Sequence, residues 1–195
     1  MLEWRWAGMQ CRLSLWFPAS LIVMLSLDSS GLTFLCLMAS VAHEMGHFVA
    51  MLLLHDAPSG ITLGFFGMRV ERRPTQRMSY PALCAVSLGG PLVNVLCGVL
   101  LWCSGAQEAA LIHGVMAVFH LLPVQSLDGG EALYDLLCCR LSEERAERVL
   151  LLCSAVVLCP LTALGVWLLF ASGYNFTLLA VSAYLGLRMF LREGH

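Results

Sequence analysis

The chain has 195 residues, 59% hydrophobic and only 12% charged, with a mean hydropathy of +0.80. Soluble domains run near half apolar and about a quarter charged, so this composition excludes an ordinary water-soluble globule and makes lipid the natural solvent. The formal net charge of −2, without a strong basic patch, gives no sign of a nucleic-acid partner, and the length suits a single membrane domain over 1–195.

All eleven basic residues are Arg. The nine Cys are an odd number, and most lie inside apolar runs: Cys36, Cys84, Cys97, Cys103, Cys153 and Cys159. With no C-x-x-C pair among them, they read as small buried side chains rather than as a disulfide framework.

Taken in chain order, apolar runs fall at Leu13–Leu27, Leu32–Leu54, Ala82–Gly105, Ala109–Leu122, Val149–Ala171 and Phe176–Leu191. A spanning helix needs about 20 residues. The second, third and fifth runs reach that, and the others are short and need flanking residues or a thinned bilayer. The first run lacks a small-residue cleavage site, and Asp28 interrupts the zone where one would lie, so it reads as a retained span. Six spans are expected, with five or a re-entrant fourth as the alternative.

The Arg residues favour six. Arg5 and Arg12 precede the first run; Arg69, Arg72, Arg73 and Arg77 lie between the second and third. Arg140, Arg145 and Arg148 lie between the fourth and fifth, and Arg188 and Arg192 fall at the end of the sixth. The alternate connections hold none, so all the positive charge lands on one face. By the positive-inside rule that face is cytoplasmic and carries both termini.

After the second run, Ile61, Leu63 and Phe65 alternate with Thr62 and Gly64, Phe66-Gly67 reads as a turn, and Met68 and Val70 continue the pattern. This predicts a β-hairpin beside the membrane. The expected fold is thus an all-α polytopic membrane protein with a small hairpin after the second span. The charged stretch Arg140–Arg148 reads as a solvated helix start leading into the fifth span.

The chemistry concentrates in Ala42–Phe48, AHEMGHF. On a helix, four residues return to nearly the same face about 6 Å along, so His43 and His47 can bind one metal. Glu44 between them can take a proton from water activated there. Ionisable groups inside a span cost roughly 2.5–3.5 kcal/mol each, and no Arg lies in any span interior to pair with Glu44. Three such groups within five residues therefore need a reason.

Zinc needs a third protein ligand. Asp128, in HLLPVQSLDGGE after a break at Pro123, stands out, and Gly129 and Gly130 permit close approach of the chain. On the residues alone L-D-G-G also reads as a helix-end turn, and Glu131 is a rival ligand with a poorer spacing.

An H-E-x-x-H in a span, followed some eighty residues later by L-D-G after another span, resembles the site-2 protease family of intramembrane zinc metalloproteases. Gly89-Gly90-Pro91-Leu92-Val93-Asn94 resembles that family's G-P-x-x-N segment, and the expected hairpin its membrane-associated sheet. The resemblance covers about 31–137, with accessory spans 13–27, 149–171 and 176–191. It implies one Zn2+ per chain held by His43, His47 and Asp128, with Glu44 catalytic. Asn94, His120 and Pro123 are implied to contact substrate.

The resemblance also implies a membrane-tethered protein substrate, with an inhibitory membrane partner and lipid as further partners. Size and layout look like the compact branch that processes pro-sigma factors in sporulating bacteria. That implies a bacterial inner or forespore-surrounding membrane. One departure stands out: the family's Asn three residues before the Pro is His120 here, able to hydrogen-bond or to intrude on the metal. The alternative function is a catalytically inactive metal-binding membrane scaffold.

Overall fold

A computed structural model of the chain describes residues 2–6, 9–14, 16–55, 60–64, 67–71 and 78–192. Among the described residues are seven helices and four short strands. The chain divides into two compact units, Met1–Phe119 and His120–His195.

The first unit holds β1 (Leu2–Trp6), β2 (Met9–Leu13), α1 (Trp16–Leu27), α2 (Leu32–Leu53), β3 (Gly60–Gly64), β4 (Gly67–Glu71), α3 (Tyr80–Cys103) and α4 (Gln107–His120), whose last residue opens the second unit. The strands form one sheet in the order β1-β2-β3-β4. β1 and β2 pair antiparallel, with Trp4 opposite Cys11; β2 and β3 run parallel, with Cys11 opposite Ile61; β3 and β4 pair antiparallel, with Ile61 opposite Val70. The sheet is thus larger than the sequence suggested, because β1 and β2 occupy the stretch read there as the approach to the first span. Phe66 of the expected turn, and Arg72, Arg73 and Arg77, lie outside the described residues.

α2 buries Ala39, His43, Gly46 and Met51, three to five residues apart and so on one face. That face packs on α3, which buries Val86, Ser87, Gly89, Gly90, Pro91 and Asn94. The contact is unusually close, and small residues make it so. A Cβ on Gly46 would lie 2.3 Å from the Gly89 carbonyl oxygen, and one on Gly89 would lie 2.7 Å from the Gly46 carbonyl oxygen. Glycines let two apolar helices approach backbone to backbone where lipid gives no hydrophobic drive to bring them together. Much of the rest of α3 is exposed and apolar, including Leu92, Leu96 and Leu100.

α2 is started by a carboxylate. Asp28 accepts hydrogen bonds from the Ser30 hydroxyl at 2.5 Å, the Ser30 N–H at 2.8 Å and the Thr33 N–H at 2.5 Å. The last of these satisfies a donor in the first helical turn that has no partner within the helix. The Ser30 hydroxyl first, then the two N–H groups, hold the Asp28 carboxyl well below its usual range. A depressed carboxyl favours the folded state above its ordinary pKa of 3.8 and loses that contribution as pH falls below it. Asp28→Ala is therefore expected to speed amide hydrogen exchange over 30–35 at neutral pH. The difference from wild type should shrink as the pH is taken well below 3.8.

The second unit holds α5 (Asp128–Cys138), α6 (Glu143–Ser172) and α7 (Thr177–Arg192). α6 packs against both of the others. A Cβ on Gly165 of α6 would come within 2.8 Å of the Leu179 backbone nitrogen, so α7 seats directly on that helix. α6 begins inside the charged stretch, with Glu143 and Glu144 in its first turn, where negative charge suits the helix dipole.

Among the described residues, three helices are long and apolar enough to cross a membrane: α2, α3 and α6. Together they mark a multi-pass membrane protein. α1 with 12 residues and α4 with 14 residues extend only about 18 and 21 Å at 1.5 Å per residue, short of a hydrocarbon core of about 30 Å.

Candidate metal centre

His43 and His47 sit one turn apart on the buried face of α2, as their spacing predicts. Their Nε2 atoms are 3.2 Å apart, and the rings meet edge to face with centroids 4.9 Å apart. Two nitrogens binding one tetrahedral zinc at about 2.0–2.1 Å stand about 3.3 Å apart, so the spacing is that of two ligands on a single ion.

Each ring is held from behind. His47 Nδ1 donates to the Val86 carbonyl at 2.8 Å. His43, only 3% exposed, meets the Asn94 carboxamide at Nδ1, 3.1 Å away. Partners on the rear nitrogens that aim the front ones at a common point are the usual support of metal-binding histidines.

The space in front of the two rings is kept open by Gly90. A Cβ there would lie 2.4 Å from His47 Nε2 and 2.7 Å from His43 Nε2. The residues therefore fit a metal on three counts: nitrogen spacing, rear anchoring, and a cradle that one methyl group would fill. Glu44 is part-buried and adjacent to His43 on α2, about 100° further round the helix.

In the second unit, Asp128 is the first residue of α5. α4 ends at His120, ahead of Pro123, as expected where a proline disfavours helix in the residue before it. The chain then turns through 121–127. Ser154 of α6, fully buried, anchors this turn: its hydroxyl accepts from the Gln125 N–H at 2.9 Å and approaches the Pro123 carbonyl at 3.4 Å. Gly129 and Gly130 fold back on the same turn. A Cβ on either would lie 2.2 Å from the Leu121 carbonyl oxygen or 2.1 Å from that of Val124, respectively. L-D-G-G thus starts a helix and does not end one, and its glycines serve the turn that delivers Asp128. His120 Nδ1 lies 2.8 Å from Asp128 Oδ2, holding one oxygen of the carboxylate.

His43 and His47 of the first unit and Asp128 of the second are residue types that could hold a metal ion. Glu131 is exposed in the first turn of α5. Asn94 is completely buried, with its amide between His43 and His113.

Val86, Gly90, His113 and Ser154 take part in this architecture without having been singled out from sequence for these roles. Gly90 alone carried a signal, as part of Gly89-Gly90-Pro91.

The architecture is that of a helical membrane protein with a pair of histidines set to share a metal. Its fold is similar to that of a solved structure, the site-2 protease from Methanocaldococcus jannaschii, with a TM-score of 0.63 and 20% sequence identity over 97% of this chain and 94% of that one. No protein-family model matches the chain, and no curated protein matches it.

Proposed function

We propose that the chain is an intramembrane zinc metalloendopeptidase that cuts a peptide bond in or beside the bilayer. The observation that carries this reading is the pair of anchored imidazoles, Nε2 atoms 3.2 Å apart, facing the space that Gly90 leaves open. The fold shared with a site-2 protease supports it, and Asp128 is the carboxylate that completes the ligand set in this reading.

Two imidazoles and a carboxylate are the donor set of many catalytic zinc sites, which keep a fourth position for water. Bound there, zinc lowers the pKa of water toward about 7 and polarises a carbonyl. His43 and His47 hold and orient the ion, and Asp128 supplies the anionic ligand. Glu44 accepts a proton from the attacking water and returns it to the leaving amine. His120 positions the Asp128 carboxylate through their 2.8 Å hydrogen bond.

The substrate must be extended where it is cut, because helical carbonyls are already hydrogen-bonded. A membrane-tethered pro-protein such as a pro-sigma factor fits this requirement. The one-sided distribution of Arg supports six spans with both termini in the cytoplasm.

Zinc content of the purified chain tests the ligand set. About one zinc per chain is expected in wild type and in Glu131→Ala, and none in His43→Ala or Asp128→Ala. If Glu131→Ala loses the metal while Asp128→Ala keeps it, the third ligand is wrong. A wild type that binds zinc yet leaves a co-produced tethered pro-protein uncut would favour the metal-binding scaffold.

A further inference from the structure

α6 buries Leu150, Ser154 and Leu158, which are four residues apart and so form one stripe. Leu152 and Val156, on the far side of the helix, are 68% and 72% exposed. A hydroxyl in the middle of an apolar buried stripe is costly unless it is hydrogen-bonded. Ser154 is 0% exposed, and its hydroxyl is used twice. It donates to the Leu150 carbonyl of its own helix at 2.8 Å, and it accepts the Gln125 N–H at 2.9 Å. Neither role is a matter of choice, because a carbonyl only accepts and an N–H only donates.

Gln125 stands three residues before Asp128, in a turn that its own backbone closes. The Val124 N–H donates to the Leu122 carbonyl and the Leu127 N–H to the Val124 carbonyl, each at 2.8 Å. The Leu127 carbonyl accepts from the N–H groups of Gly130 and Glu131 at 3.0 Å, which starts α5 with Asp128 in its first turn. Gly129 and Gly130 lie so close to the turn that a Cβ on either would meet backbone. The stretch 121–131 is therefore one tightly bonded piece that carries Asp128, and Ser154 ties it to α6.

The side chain of Gln125 adds nothing polar to that tie. The residue is 3% exposed, and one end of its carboxamide is buried without a hydrogen-bond partner among the described residues. The backbone N–H holds the turn, and the amide beyond it does not.

We infer that Ser154 is a positioning residue that sets where Asp128 stands, so that α6 is the reference for the third metal ligand. This rests on the metal-centre reading above. An N–H cannot be removed from the turn. Taking away the hydroxyl leaves that buried donor unpaired, and the turn must shift to pair it again. Asp128 shifts with the turn, because the backbone bonds and glycine contacts allow no slack between them.

The experiment uses the full chain in detergent micelles. Zinc affinity is read by chelator competition, and ligand geometry by the visible spectrum of the cobalt(II)-loaded chain. Ser154→Ala is expected to weaken zinc binding about tenfold and to change the cobalt spectrum. Tenfold is the lower end of the usual loss when an outer partner of a ligand is removed, and Ser154 acts one step further back. Two variants should bind zinc as the wild type does. Ser182→Ala removes a hydroxyl of α7 that is 3% exposed and bonds the Leu179 carbonyl of its own helix at 3.1 Å. Gln125→Leu removes a carboxamide closer to Asp128 but keeps the N–H.

Wild-type affinity and spectrum in Ser154→Ala would overturn the inference. So would an equal loss in Ser182→Ala, which any buried hydroxyl would then cause, or in Gln125→Leu, which would give the tie to the side chain. Amide exchange of the unaltered, metal-free chain needs no variant: the Gln125 amide should be protected, and free exchange there means that the tie does not exist. Asp128→Ala separates the two levels of argument. Undiminished zinc binding there removes Asp128 from the metal-centre reading, whereas its loss leaves Ser154 to be judged by its own variant.

Discussion

Glu44→Gln is expected to keep its zinc and lose cleavage by 10²- to 10⁴-fold. Gln matches Glu in size and keeps a hydrogen-bonding carbonyl, so the α2 face that carries His43 and His47 should fold unchanged. It lacks the basic carboxylate that removes a proton from water and later delivers it to the leaving nitrogen. Positioned proton transfer of this kind contributes about 10²–10⁴ in rate. Zinc content and cleavage of a membrane-tethered pro-protein, measured side by side, check both halves. Cleavage at the wild-type rate would remove Glu44 as the base. Loss of zinc in the variant would show instead that Glu44 belongs to the metal-holding structure.

The helical part of this fold was legible because lipid imposes a simple rule. Apolar runs at Leu32–Leu54 and Ala82–Gly105 became helices at Leu32–Leu53 and Tyr80–Cys103, since every backbone polar group in a bilayer must be paired within the segment. The run at Val149–Ala171 grew to Glu143–Ser172, because the acidic residues ahead of it suit a helix start.

The strands at Leu2–Trp6 and Met9–Leu13 carry a local signal too. Leu2, Trp4 and Trp6 alternate with Glu3 and Arg5, and Met9, Cys11 and Leu13 alternate with Gln10 and Arg12, which is the two-residue period of a strand. Their proximity to the first apolar run masked it. The parallel pairing of β2 with β3 carried no local signal, since its partners, such as Cys11 and Ile61, are fifty residues apart.

Of the site, the metal ligands were legible because His43 and His47 depend only on helical spacing, and Asp128 on a short motif. Residues that act across helices were not. His113 looks like any lone histidine in an apolar run until the rotation of α3 and α4 brings it to the Asn94 amide at 3.0 Å. Ser154 is one hydroxyl in a long apolar helix, and only packing reveals that it ties down the 121–127 turn. L-D-G-G misleads because two glycines are poor helix formers. Here close backbone contact overrides that propensity.

The largest effect from the smallest change is expected at Gly90. Gly90→Ala adds one methyl group, and its carbon would lie 2.4 Å from His47 Nε2 and 2.7 Å from His43 Nε2. Both are far below contact distance, so something must move. The three nearest atoms all belong to the two imidazoles, so the rings are the first groups to be displaced. The helices should therefore still pack, while the imidazoles leave the 3.2 Å spacing that suits a shared ion. Zinc content should fall from about one per chain to near zero, with cleavage lost alongside, and helical content unchanged by circular dichroism.

Gly46→Ala is the control. Its methyl would meet the Gly89 carbonyl oxygen at 2.3 Å, the carbonyl carbon at 2.8 Å and Gly90 Cα at 2.9 Å, all of them backbone. Relief there requires α2 and α3 to separate, so that variant should lose thermal stability and yield as well as zinc. Full zinc occupancy in Gly90→Ala would mean that the ion does not sit in front of the two rings. The centre would then have to be sought on another side of the histidine pair.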